Sequence, residues 1–467
     1  MRLLLFAALL MTTACNPLIP PPLEPPALPE SYATVQPQAA IKPAERWWRD
    51  FHDEQLDLLQ ERLFSSNLNL RQALHRLEQL EAAQRINQAK RLPNLNVNGS
   101  LGRTQSVGFT GETRSTNSSL SLAASYEIDL WNKLKDSEQA SILRTQAGKA
   151  EVEALLLSLS AQLSEQYFLA VEQRAQLDLL ERQTANTREL LQIVTERYRA
   201  GLSTAAELYQ ARQNLAIMET RVPPYRSTLI QTENNIALLL GQTPRTVRIE
   251  RRQLPELAQA IDLGLPATLL TRRPDIAATL LELQATDHDL AAILAERLPA
   301  INLSTTLGQS ATRLASGDYN GTFWSLILGL TQPLYDGGRL KALSDQQKAA
   351  RAQQLALCEA TLLTALEEVE SALTAELNSA DSAALLEQRR RINQSNLELL
   401  RRNYLYGLSD SSDLLSSEIN HLDILSQQLS NQRQWLSNRI TLVRALGGGW
   451  MAAELDKQRQ ALSAKQE

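Results

Sequence analysis

Four segments of the chain alternate between apolar and polar residues with a period of two. From Ser119 to Leu130 every even position is apolar, and the odd positions are mostly serine or acidic. The same alternation occurs at Asn94–Leu101, in residues 301–307 and in residues 324–330. A period of two is typical of strands with one apolar face, so four strands are predicted. A length of about ten residues suits a membrane β-barrel, although the alternation also fits a half-buried soluble sheet.

Long helices are predicted between the strand pairs. From about Asn132 to Arg199 the chain has no proline and one glycine. Residues spaced by three and four predict a helix of roughly 100 Å that packs along a heptad seam. The returning segment continues this seam, and at Pro223-Pro224 we expect a kink or a break. The first seam consists of Leu156, Leu159, Leu163, Gln166, Ala170, Gln173, Leu177, Leu180, Thr184, Thr187, Leu191, Val194 and Tyr198.

The chain contains an internal duplication. YRAGLSTAAEL at 198–208 matches YLYGLSDSSDL at 404–414, and RLPNL at 91–95 matches RLPAI at 297–301. LLLG ending at 241 pairs with VRALG ending at 447, and NLNL at 67–70 pairs with RPDI at 273–276. All four pairs share one offset of 206 residues, as from Pro93 to Pro299. One structural unit therefore occurs twice.

The duplication predicts the domain organisation. The first copy is 47–241 and the second is 273–449, with a linker at 242–272 and a tail at 450–467. Each copy would contain a helix that stops at Arg-Leu-Pro, two strands, a long helix, a Gly-Leu-Ser turn and a returning helix. Asp275 and its counterpart Asn69 are predicted helix N-caps.

The amino terminus predicts secretion and lipidation. Residues 1–14 combine an early arginine, an apolar stretch and a small residue before Cys15, which is typical of a signal peptide. A cysteine at this place resembles a bacterial lipobox, with Thr12 where leucine is usual, so Cys15 is the predicted lipidation site. Ordinary signal cleavage with an incidental Cys15 is the alternative. Residues 15–46 hold seven prolines between Pro17 and Pro29, which predicts an extended tether.

Composition and motifs exclude several other functions. Lys+Arg number 47 and Asp+Glu 52, a formal net charge of −5, so no nucleic-acid partner is expected. No run of 18 apolar residues occurs, so no spanning helix is predicted. The four histidines are scattered, and no phosphate-binding or nucleophile motif occurs. We therefore predict no enzyme, no cofactor and no metal site, and Cys358 is predicted to be a buried thiol.

Four strands cannot close a membrane barrel, since such barrels need at least about eight. An open strand edge in lipid leaves backbone groups unpaired. If the sheet is in a membrane, the chain must therefore share its barrel with other copies.

The most specific stretch of the sequence is LGLPATLLTRRPDI at 263–276. WWRDFHDEQLDLL near the start, YEIDLW at 126–131, QPLYDGGR at 332–339 and the two Gly-Leu-Ser turns accompany it. Together and in this order they resemble the outer-membrane factors of tripartite efflux pumps, the TolC-like proteins, in their NodT-type lipoprotein branch. The resemblance covers about Trp47 to Gly447.

The resemblance implies an α+β membrane protein. Three chains would form a twelve-stranded transmembrane β-barrel, four strands per chain, continued by a long α-helical barrel in the periplasm. The linker 242–272 and the tail after Trp450 would belong to a belt around that tube. The homotrimer would be a passive exit duct for drugs or other small solutes, lined by the odd-numbered Ser, Glu and Asp positions of 119–129. Its partners would be outer-membrane lipid, a periplasmic adaptor and an inner-membrane transporter of the RND type.

The resemblance also implies functional residues. The turns that would meet the adaptor contain Tyr198, Gly201, Leu202 and Ser203 in the first copy and Tyr404, Gly407, Leu408 and Ser409 in the second. A periplasmic aperture would involve Asp410, Asp413 and Glu207, which is the repeat counterpart of Asp413. Ser416 departs from a second acidic position found in some members.

Two other functions fit parts of the pattern. A type I protein-secretion duct shares the fold, but the lipobox and RRPDI favour the efflux branch. A non-membrane coiled-coil scaffold explains the heptads and leaves the leader and strands unexplained.

Overall fold

The computed structural model describes residues 46–108, 111–256, 272–314, 317–409 and 411–466. The predictions for Cys15, Asp410, the signal peptide and nearly all of the tether therefore lie outside the described residues, as does part of the linker.

Helices and strands follow the predicted order. The first half contains a short 3-10 helix Trp47–Phe51, α1 (Glu54–Ser66), α2 (Leu68–Ala89), β1 (Asn94–Gly108), β2 (Gly111–Ile128), α3 (Lys133–Arg199) and α4 (Ala205–Leu239). The second half contains α5 (Pro274–Ala295), β3 (Ala300–Leu314), β4 (Gly317–Thr331), α6 (Arg339–Leu405), α7 (Ser411–Leu446) and α8 (Met451–Gln466).

The element bounds repeat with the offset found in the sequence. Helices α3 and α6 each have 67 residues and begin 206 positions apart, at Lys133 and Arg339. Strands β1 and β3 each have 15 residues and begin 206 positions apart, at Asn94 and Ala300. The predicted duplication is therefore present in the fold.

The four strands form one antiparallel sheet in the order β1-β2-β3-β4. The two copies meet where β2 pairs with β3, with Leu122 opposite Leu307. The strands have 15 to 18 residues, so the expected length of about ten was wrong. The strand pairing extends beyond the alternating segments into polar stretches, as in Thr104 opposite Ser115, because hairpin pairing satisfies their backbone groups.

The described residues divide into two compact units. One comprises His75–Ala150 and Ala277–Thr361 and contains the sheet. The other includes Glu151–Ile276 and Leu362–Glu467, and its core is rich in aromatic residues. In that core Trp48 lies 4.9 Å from Trp450 between ring centroids, so the start and the end of the described chain pack together.

The heptad seam of α3 is largely buried. Leu156 and Leu163 are fully enclosed, and the polar members Thr184 and Thr187 are buried with them. Tyr198, the last member, is exposed because it lies at the turn. Among the described residues, no helix is both long and apolar enough to cross a membrane.

A kink or a break was expected at Pro223-Pro224, and of these the break does not occur, because helix α4 continues through both prolines. Each proline leaves the carbonyl four residues earlier without its helical partner, here those of Glu219 and Thr220. Both residues are exposed, so water can bind these carbonyls.

The N-cap predictions for Asn69 and Asp275 are also wrong. Asn67 performs this role in the first copy, where its Oδ1 accepts from the Leu70 backbone N–H at 2.8 Å. Asp275 lies inside the first turn of α5 and binds the Arg273 guanidinium at 2.7 Å. The predictions missed because each helix begins one residue before the assumed cap.

Candidate functional site

One face of the sheet carries a band of apolar side chains. A row across the four strands contains Val97, Leu122, Leu307 and Trp324, which are paired in register. All four side chains are exposed, Trp324 by 76%. A soluble sheet would bury such a face, whereas a membrane strand presents it to lipid. We call this the outer face.

The opposite face is mostly small and polar. Asn98, Ser121 and Gly308 share one row, and the next row contains Ser100 and Ser119, whose hydroxyl oxygens are 2.8 Å apart. We call this the inner face, and it includes the odd positions of β2 that were predicted to line a water-filled path.

The sheet is open within one chain. In the part of the chain that the structure describes, β1 pairs only with β2, and β4 pairs only with β3. Each outer strand therefore has one edge whose backbone groups can pair with another copy.

Each long helix reverses at a glycine. Gly201 and Gly407 both have a φ of +74°, a left-handed conformation that glycine adopts without steric cost. The Leu202 N–H donates to the Arg197 carbonyl at 2.8 Å, and the Leu408 N–H donates to the Asn403 carbonyl at 2.8 Å. These bonds satisfy carbonyls at the ends of α3 and α6, so the same helix stop is built twice.

The leucines of both turns project into solvent. Leu202 is 69% exposed and Leu408 is 76% exposed. Ser203 and Ser409 are half-buried, and the Ser409 hydroxyl donates to the Leu400 carbonyl at 3.4 Å. Two apolar tips therefore remain available for a partner.

The two turn tyrosines differ although their sequence contexts match. Tyr198 is exposed, whereas Tyr404 is buried near Leu397 and Leu414, and burial raises the pKa of its hydroxyl. The Arg197 guanidinium lies 5.1 Å from the centre of the Tyr404 ring. The Tyr404 side chain therefore connects the two helical hairpins and is not available for docking.

The predicted aperture acids also differ. Glu207 and Thr204 form a capping box at the start of α4, in which each backbone N–H donates to the other side chain at 3.2 Å. The Ser203 hydroxyl also donates to the Glu207 carboxylate. Asp413 lies at the matching place in the first turn of α7 and is exposed. The Glu207 carboxylate is therefore held in a cap, whereas Asp413 is an exposed residue.

Several long-range ion pairs were not foreseen. Arg221 of α4 binds Asp423 of α7 at 2.7 Å. Arg273 donates to Asp275, Glu368 and the Ala445 carbonyl. Arg273 belongs to the RRPDI motif that was singled out in the sequence. Nothing in the local sequence around Arg221 indicates a contact with Asp423, which is about 200 positions away.

The described His, Cys, Asp and Glu side chains do not gather into a metal site. Among the residues described, no group of three or more His, Cys, Asp or Glu side chains could hold a metal ion. His288 binds Asp136 at 2.9 Å, which accounts for one of the histidines as a structural contact. Cys358 is a buried free thiol, as predicted.

Comparison with known proteins identifies the family. The family model described as "Outer membrane efflux protein" matches residues 59–242 and 265–448, again 206 positions apart. The outer membrane protein OprJ of Pseudomonas aeruginosa is 30% identical over 96% of this chain and 95% of that protein. The pyoverdine export outer membrane protein OpmQ of Pseudomonas putida is 27% identical over 94% of this chain and 95% of that protein.

A solved structure agrees with the sequence relatives. The outer-membrane channel OprN superposes with a TM-score of 0.85 at 25% identity, covering 93% of this chain and all of that one. The predicted fold class, outer-membrane location and role as an efflux channel subunit are confirmed by these likenesses. The chain belongs to the outer membrane efflux protein family.

Proposed function

We propose that three copies of the chain close one twelve-stranded barrel and form the passive exit duct of a tripartite efflux pump. The open sheet with its exposed outer face carries this proposal. Unpaired strand edges are costly in lipid, and pairing β4 of one copy with β1 of the next removes every edge. The number three rests on the resemblance to TolC-like proteins.

The oligomer prediction can be tested on the lipidated chain in mild detergent. Chemical cross-linking should give species up to three copies and no larger. The unheated protein should migrate as a compact trimer on a gel, and heating should convert it to the monomer. A monomer that retains full channel conductance would contradict the proposal.

The long helices would form the periplasmic part of the duct. Helices α3 and α6, each 67 residues and so roughly 100 Å long, would line a tube together with α4 and α7. The linker 242–272 and the tail 450–467 would surround it as a belt. The chain would do no chemistry, because an inner-membrane transporter, driven by proton flux or ATP, would supply the energy.

The two Gly-Leu-Ser turns would contact the periplasmic adaptor. Leu202 and Leu408 support this role, since both present apolar side chains to solvent at the ends of long helices. The shape of these contacts would be set by Tyr198, Gly201 and Ser203 in the first turn and by Gly407 and Ser409 in the second.

Asp413 would contribute to an acidic ring at the periplasmic aperture. Its carboxylate is exposed in the first turn of α7, and a trimer would repeat it three times around the axis. Gathered carboxylates favour cations, and a bound cation would help to hold the aperture closed. Asp410 lies outside the described residues, and Glu207 would serve mainly as a helix cap.

Cys15 would anchor the amino terminus in the outer membrane through a lipid. The leader sequence supports this, and the proline-rich residues 15–46 would link the lipid to the folded chain.

A further inference from the structure

Strand β4 differs from the other strands on the inner face. Every second residue of each strand lies on this face, and in β4 these include Tyr319, Phe323 and Ile327. Between these three, the inner face of β4 carries Gly321 and Ser325, so large apolar and small side chains alternate along this face. The three large side chains are four residues apart, which is about 13 Å along a strand.

The same rows on the other three strands carry small residues. Phe323 shares its row with Asn98, Ser121 and Gly308, and Ile327 shares its row with Asn94, Ser125 and Ser304. Five successive inner-face rows, from that of Asn94 to that of Gly102, contain no charged side chain. Within these rows, all the large apolar side chains of the inner face therefore lie on β4.

The Phe323 ring lies over a glycine of the neighbouring strand. A Cβ added at Gly308 would lie 2.8 Å from the Phe323 ring, so the ring covers this glycine. Phe323 is still 38% exposed, Ile327 is 56% exposed and Tyr319 is 57% exposed. Apolar surface therefore remains open on a face that is otherwise polar.

We propose that Tyr319, Phe323 and Ile327 form an apolar track inside the barrel that binds the aromatic or aliphatic part of amphipathic solutes during exit. The inference rests on the proposed trimeric barrel, which would contain three such tracks. Small Asn and Ser side chains on β1 of the adjoining copy would leave the track accessible. The uncharged rows would let solutes of either charge pass, so selection would act on apolar groups.

Single-channel recording of the purified trimer can test the track. Benzyltrimethylammonium and tetramethylammonium carry the same charge, and only the first has a benzyl group. When added on the side of the bilayer to which the β-barrel opens, benzyltrimethylammonium should interrupt the current for longer than tetramethylammonium does. Phe323→Ser and Ile327→Ser should each shorten these interruptions about three- to tenfold, the effect of losing one aromatic or apolar contact. The response to tetramethylammonium should not change.

A control on the outer face separates the track from general effects on the strand. Leu328→Ala removes apolar surface from the same strand and should leave the interruptions unchanged. Phe323→Ser exposes Gly308 and can impair assembly, in which case Ile327→Ser, opposite Ser304, decides the matter. Unchanged interruptions in conducting Ile327→Ser trimers would overturn the inference. The same result would follow if another copy covered the track, and it would overturn the inference in that case too. Absence of any trimer or conductance in the unmodified chain would instead contradict the proposed function.

Discussion

At the scale of single residues, the two copies make the same contact between two helix ends with different side chains. The Asn67 amide donates to the Leu239 carbonyl at 2.7 Å, and the Arg273 guanidinium donates to the Ala445 carbonyl at 3.1 Å. These positions are repeat counterparts, so both residues tie the start of one helix to the end of another. The arginine is buried, and its charge is balanced by Asp275 and Glu368.

Replacing Arg273 by lysine should destabilise the fold. Lysine cannot bind Asp275, Glu368 and the Ala445 carbonyl together, because it lacks the planar fork of guanidinium. We expect a loss of about 1–3 kcal/mol, measured as a lower temperature of trimer dissociation and unfolding. Arg252→Lys is the matched control, since the exposed Arg252–Asp178 pair should contribute less than about 1 kcal/mol. Equal effects of the two substitutions would argue against a special role for Arg273.

The Asp275 carboxylate gives this contact a pH dependence. Burial acts to raise the pKa of Asp275, but the hydrogen bonds and charge of Arg273 lower it below the ordinary value. Its contribution is therefore present above the ordinary pKa and is lost as pH falls through the lowered value. Acidification should reduce the difference in stability between the unmodified chain and Arg273→Lys.

Asp413→Ala should alter ion selectivity if the acidic ring exists. Removing three carboxylates from the axis should reduce the preference for cations and the block by divalent cations in single-channel recordings. Glu207→Ala is an informative comparison, because loss of its capping box should lower stability rather than change selectivity. Unchanged selectivity and block in Asp413→Ala would falsify the ring.

At the scale of elements, the local sequence was sufficient to predict the two turns and the seams of the long helices. Glycine before leucine and serine predicted both reversals, and the structure has a left-handed glycine at each. The prolines of α4 did not break the helix, since the two carbonyls that they leave without a helical partner belong to exposed residues. The roles of Tyr198 and Tyr404 could not be distinguished locally, because burial of Tyr404 depends on Arg197 and on the second hairpin.

Bulky substitutions at the turns should abolish export without lowering trimer yield. Leu202→Trp and Leu408→Trp would change the shape of the exposed tips that we propose for adaptor contact. Leu202→Met and Leu408→Met keep the size and polarity and should retain function. Export should be measured as drug tolerance of cells together with the amount of trimer in the outer membrane. Normal export by both tryptophan variants would count against docking there.

At the scale of the whole molecule, function depends on surfaces that one chain leaves incomplete. The apolar outer face and the two free strand edges need lipid and other copies. The exposed leucines at the ends of the long helices would be covered by the adaptor that we propose. These surfaces agree with the role of a channel subunit.

The lipid anchor predicts selective labelling at one of two cysteines. Cells fed a clickable fatty acid should label the unmodified chain, and Cys15→Ser should lose the label while the trimer still folds. Cys358→Ser is the matched control and should label normally, because that thiol is buried. Persistent labelling of Cys15→Ser would contradict the anchor.

Periodicity in the sequence was enough to predict the strands and the long helices, because the side of a strand or helix on which a residue lies follows from local spacing. The matched motifs at one offset were enough to predict the duplication. Tertiary structure decided the pairing of β2 with β3, the burial of Tyr404 and the contacts of Arg273. It also placed Phe323 over Gly308 on the inner face. These outcomes depend on register and on residues distant in the chain, since packing energy arises only when such residues meet.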